Sequence, residues 1–135
     1  MKLSGFTIII AIGVAGPGWT QPATTPTRTP LGVVALAAPK TVTRIQVMRV
    51  DFTPGQAMPR HLHPAPVVCY VETGAFHVEI AGQPARDVTV GQVTYEPADT
   101  PVERFQNISA APGALICNFL AGPDDTELSR LLPPR

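Results

Sequence analysis

Across 135 residues the chain carries ten basic and ten acidic side chains, with 44% apolar and 15% charged residues. That length supports one core and rarely two, and that composition excludes both a disordered chain and a multi-span membrane protein. The balanced charge leaves no basic field for nucleic acid, and sixteen prolines with eleven glycines interrupt the chain too often for long helices.

The chain opens with one early cation, Lys2, then an apolar run from Phe6 to Gly16, then Pro17-Gly18-Trp19-Thr20. This order reads as a secretory signal rather than a buried strand, with small Gly18 at the −3 position of a cleavage after Thr20. The apolar run is too short to span a bilayer, which takes about 20 residues. Residues 1–20 are therefore expected to be removed on export, leaving a periplasmic or secreted protein with no membrane span. Residues 21–30 (QPATTPTRTP) read as an extended Thr/Pro tether, and 31–135 as the folded domain. In an oxidising compartment Cys69 and Cys117 form a candidate disulfide; two buried free thiols are the equal alternative.

From residue 41 the pattern is one of short strands. Thr41 to Phe52 alternates with a change of phase: Ile45 and Val47 face one way, Met48, Val50 and Phe52 the other, which calls for a bulge or bend near Val47. Val67 to Glu72 is β-rich and ends at Thr73-Gly74. Phe76, Val78 and Ile80 then share one face, with His77 and Glu79 on the other. Val88 and Val90, Val93 and Tyr95, and Ala114 to Leu120 continue the series between Gly and Pro turns. Such spacing predicts an all-β sandwich or barrel. One short C-terminal helix is expected, capped by Asp124 or Asp125 with Glu127 in a capping box and stopped by Pro133-Pro134.

The chemistry concentrates in His61-Leu62-His63-Pro64. Residues i and i+2 of a strand face the same side, about 7 Å apart at the backbone, so two imidazoles can converge on one metal ion. No phosphate loop, nucleophile elbow or C-x-x-C pair accompanies them.

Gly55, His61, His63, Val67 and Gly74 resemble the first motif of the cupin superfamily, G-x5-H-x-H-x3,4-E-x6-G. Gly91, Pro97, Asp99 and Asn107 resemble the second, G-x5-P-x-G-x2-H-x3-N. His61-Leu62-His63-Pro64-Ala65-Pro66-Val67 is similar to the H-x-H-P-x-P-V form found in small bacterial cupins. The resemblance implies a double-stranded β-helix, or jelly-roll barrel, commonly dimeric. It also implies a divalent metal (Fe, Mn, Ni or Zn) held by three histidines and a glutamate.

Two of those four ligands are absent. Val67 stands at the glutamate position. The second-motif histidine falls on Val102 counting from Pro97, or on Glu103 counting back from Asn107, because the segment is one residue too long. His61, His63 and Glu103 form the expected metal set, two imidazoles and a carboxylate with open positions. Cys69, in the parity of the histidines, and Tyr95 are the expected ligand contacts; either Tyr95 or Glu96 points inward. His77 is a weaker ligand candidate.

Two functions follow from the resemblance. One is an exported cupin that binds a small molecule in its barrel beside a degenerate, weakly metal-binding His61/His63 site. The alternative is a metal-dependent enzyme, oxygenase- or isomerase-like, acting on a small organic substrate.

Overall fold

The computed structural model describes residues 25–135. The signal-like segment 1–20 lies outside them, and residues 25–43 contain neither helix nor strand. Nine strands follow: β1 (Arg44–Phe52), β2 (His61–Leu62), β3 (Val67–Thr73), β4 (Ala75–Ile80), β5 (Arg86–Thr89), β6 (Val93–Glu96), β7 (Val102–Asn107), β8 (Gly113–Ala121) and β9 (Arg130–Leu131).

They pair antiparallel in two sheets, ordered β1-β8-β3-β6 and β5-β4-β7-β2-β9. Period-two alternation turns Val67, Cys69 and Val71 of β3 inward, with Leu115, Cys117 and Phe119 of β8. Phe76, Val78 and Ile80 of β4 and Phe105 of β7 meet them from the other sheet in one continuous core. Within it Phe52, Phe76 and Phe105 pack with ring centroids 5.1 to 6.1 Å apart, Phe52 edge-on to Phe76 and stacked with Phe105. Cys69 and Cys117 are direct cross-strand partners and form a disulfide, Cα to Cα 4.0 Å.

Three expectations are corrected. The barrel is not closed: among the described residues no ladder joins the two sheets. Pro64 and Pro66 separate β2 from β3, and Pro97 and Pro101 separate β6 from β7, so the crossings lack donors to continue a ladder. The C-terminal helix does not form either. Asp125 instead accepts from the Gly122 N–H at 2.7 Å and pairs with Lys40 at 2.6 Å, and the chain then runs into β9 beside β2. A helix of so few residues cannot repay its own nucleation, whereas pairing with β2 satisfies the same backbone. Finally, β1 has no bulge; its register with β8 is unbroken from Arg44 to Phe52. Its two apolar phases arise because the strand is exposed on both faces until Val50.

Register shifts lie elsewhere, one in β3 at Glu72 and one in β7. Ile80 pairs with Val102 but Glu79 pairs with Arg104, so Glu103 is the extra residue. It brings Val102 into phase with Phe105 and Asn107, all three buried.

Asn107, fully buried, donates to the carbonyls of Thr53 and Ala111 and accepts from the Ser109 N–H, tying the β7–β8 turn to the end of β1. Gly74 joins β3 to β4 at φ +86°, and a Cβ there would lie 2.9 Å from the Gly113 Cα. Backbone conformation and backbone contact thus both require glycine. Gly74→Ala is expected to lose about 2 kcal/mol of unfolding free energy, read by urea denaturation.

Candidate metal centre

His61 is held in β2 between Val102 of β7 and Leu131 of β9. His63 follows on the same face, its ring centroid 4.8 Å from that of His61 and 5.4 Å from Phe119. Both rings are buried. His61 Nδ1 lies 2.7 Å from the Pro59 carbonyl, and His63 Nδ1 lies 2.7 Å from the Leu128 carbonyl. A carbonyl only accepts, so each Nδ1 carries the hydrogen, and in the neutral ring Nε2 keeps a lone pair.

Both Nε2 atoms face Glu96, the last residue of β6. Its Oε2 is 2.9 Å from His63 Nε2 and 3.7 Å from His61 Nε2. The three ligand atoms lie within 4.8 Å of one another, all in buried residues. Two lone pairs and a carboxylate contain no donor among them, so a cation is needed between them, whether a proton or a metal ion. Burial pushes the Glu96 carboxyl up, but His61 and His63 more than reverse this and hold it below the ordinary carboxylate value. Burial pushes His63 down, and the Glu96 carboxylate with the Leu128 carbonyl more than reverse that. Glu96 Oε2 is buried, and the 2.9 Å approach of His63 Nε2 to it is not aligned as a hydrogen bond, which leaves that oxygen open to a metal ion. The donor set, two oriented imidazoles and one carboxylate, fits a divalent transition metal with open positions.

The carboxylate that the fold groups with His61 and His63 is Glu96, and not Glu103. Val67, at the glutamate position of the first motif, is the direct cross-strand partner of Glu96, so a carboxylate reaches the interior from the neighbouring strand. Val102, opposite His61 and buried, takes the second-motif histidine's inward place, and bulged Glu103 turns away. Glu103 is instead held by Arg60, at 2.7 Å and 3.1 Å, and by Arg135 at 2.9 Å. Of the inward alternatives Tyr95 and Glu96, Glu96 points in; Tyr95 lies on the other face and lines an outer hollow with Pro64, Pro66 and Asp99. His77 lies on the outer face of β4 between Asp87 at 2.6 Å and Glu79 at 3.0 Å. Glu96 carried one sequence signal, its parity with Thr94 on a short strand, but its partner strand could not be read from the sequence.

Beside the three ligands is an interior cavity of about 60 Å³. Its wall is otherwise apolar, including Phe52, Met58, Phe105 and Phe119, and the Cys69–Cys117 disulfide completes it. Cys69 thus reaches the interior as half of that bond.

Two antiparallel sheets around a buried His-x-His and carboxylate define a class of metal-binding β folds. A family model for the cupin domain matches residues 48–119, and the chain belongs to that family. No curated protein matches it. Among solved structures, the DMSP lyase DddQ from Ruegeria pomeroyi DSS-3 aligns with 67% of this chain at 20% identity and a TM-score of 0.58. An oxalate oxidase in complex with the substrate analogue glycolate aligns with 66% at 26% identity and a TM-score of 0.56. An RmlC-like cupin from Methanocaldococcus jannaschii aligns with 58% at 19% identity and a TM-score of 0.53, over 72% of its own length. The chain spans 44% of the lyase and 46% of the oxidase.

Arg60, first by its hydrogen bond and then aided by Arg135, holds the Glu103 carboxyl below its ordinary value. Its stabilisation is therefore full above the unfolded-state pKa and is lost as pH falls through the lowered folded value. Glu103→Gln is expected to lower the urea midpoint at neutral pH. The gap should narrow below about pH 4, where the wild-type carboxylate begins to protonate, with metal affinity unchanged throughout.

Proposed function

We propose that this chain binds one divalent transition-metal ion through His61, His63 and Glu96 and receives a small polar molecule beside it. The observation that carries the reading is the pairing of two Nε2 lone pairs with a buried carboxylate oxygen that accepts no aligned hydrogen bond. Fe, Mn, Ni and Zn all suit this donor set. A bound ion would supply Lewis acidity and open coordination positions.

The protein's own residues set what can enter. The cavity of about 60 Å³ admits a few heavy atoms, and its wall of Phe52, Met58, Phe105 and Phe119 offers a guest no charged partner. A small carboxylic acid, anchored through its carboxylate at the metal, fits both limits. The oxalate oxidase crystallised with glycolate supports that substrate class. The Pro59 and Leu128 carbonyls keep the Nδ1 protons in place, so neither ring has to reorient.

The second reading is a binding module without chemistry. It is favoured by Val102, which leaves the metal one imidazole short of the usual cupin set. Metal content tests the ion that the first reading requires. Untagged protein is expected to hold close to one equivalent of metal by mass spectrometry. Glu96→Gln and His61→Ala/His63→Ala should each weaken affinity by more than about 100-fold while keeping the fold. Protein that stays metal-free after incubation with Mn, Fe, Ni and Zn removes the metal reading.

The N-terminal pattern and the Cys69–Cys117 disulfide support export to an oxidising compartment. Edge strand β1, with Ile45 and Val47 exposed, supports a homodimer. Native mass spectrometry of protein from the periplasmic or secreted fraction is expected to show a chain lacking residues 1–20, at twice the mature mass. A full-length monomer there contradicts both.

A further inference from the structure

The Cys69–Cys117 bond does more than cross-link two neighbouring strands. Both half-cystines line the same cavity as His61, His63 and Glu96. Cys69 Sγ stands 4.0 Å from Glu96 Oε1. Two ligands bound to one ion at about 2.1 Å and 2.3 Å stand about 3.6 Å apart in a tetrahedral site, so this sulfur is near a ligand's distance from Oε1, the second oxygen of the carboxylate whose Oε2 faces the imidazoles. In the disulfide it is a poor donor; as a thiolate it is among the strongest for zinc or copper(I).

We propose that the disulfide sets which metal this pocket accepts. Oxidised, the pocket offers imidazole and carboxylate and takes Fe, Mn, Ni or Zn without strong preference. Reduced, Cys69 joins His61, His63 and Glu96, and the added thiolate shifts the preference toward Zn²⁺ and Cu⁺. This rests on the metal reading above and adds a second ligand set to the same cavity.

The interconversion balances with a dithiol reductant. One of its thiolates attacks a sulfur of the pair, the S–S bond breaks, and its second thiolate closes the reductant's own disulfide. Two electrons and two protons pass to the protein, giving two thiols. Metal binding then releases the Cys69 proton to solvent. The dithiol form is expected to keep the framework, because β3 pairs with β8 without a break from Val67 to Val71, on both sides of residue 69.

The test compares full-length protein in two forms, distinguished by thiol titration: refolded under argon with a dithiol then removed, and air-oxidised. Each is titrated with Co²⁺ and then Zn²⁺. The dithiol form is expected to give a thiolate-to-cobalt charge-transfer band that the oxidised form lacks, and to bind Zn²⁺ at least about tenfold more tightly. Cys117→Ala, which frees Cys69, should keep the band, and Cys69→Ala should lose it. Cobalt bound in both forms with equal affinity and no charge-transfer band overturns the proposal and leaves the His61-His63-Glu96 site standing. Cobalt bound by neither form overturns both. Loss of the folded circular-dichroism spectrum in both the dithiol form and Cys117→Ala also overturns it.

Discussion

Everything at this centre depends on where two protons are not. The Nδ1 atoms of His61 and His63 are committed to backbone carbonyls, which leaves the opposite nitrogens bare and aimed at a buried carboxylate. That arrangement is electrostatically incomplete without a positive charge, and the fold maintains it. The two-residue strand β2 fixes His61 between β7 and β9, the end of β6 delivers Glu96, and the Phe52–Phe76–Phe105 cluster fills the space around them. Each of these elements is short or irregular on its own and gains its definition from its neighbours.

The carboxylate shows how strand register, and not chain order, decides which residues meet. In an antiparallel pair, directly opposed residues bring their side chains to the same face about 5 Å apart. Position 96 therefore brings a carboxylate into the interior beside the two histidines although its partner Val67 carries none. The cross-strand partner of His61 in β7 is the apolar Val102, which offers no further ligand atom.

Much of this was legible in the sequence because it is local. Strict alternation in Phe76, Val78 and Ile80 reports a half-buried strand directly, and His61 with His63 reports a shared face. Gly74 and Asn107 were visible as motif positions, and each has a backbone task that explains it. What stayed hidden is non-local. Glu96 becomes a ligand only through the register of β6 on β3. The surplus residue between Pro97 and Asn107 was countable, but only the pairing with β4 shows that Glu103 absorbs it. Asp124 to Glu127 had the composition of a helix start, and pairing of the later residues with β2 decided otherwise. The two phases of β1 suggested a distortion where there is only an edge exposed on both sides.

The hydrogen bond from His63 to the Leu128 carbonyl joins residues 65 positions apart. The acceptor for His63 and the second neighbour of β2 both come from one segment, residues 128–131, so undocking that segment would release the Nδ1 proton of His63 and one edge of β2 together.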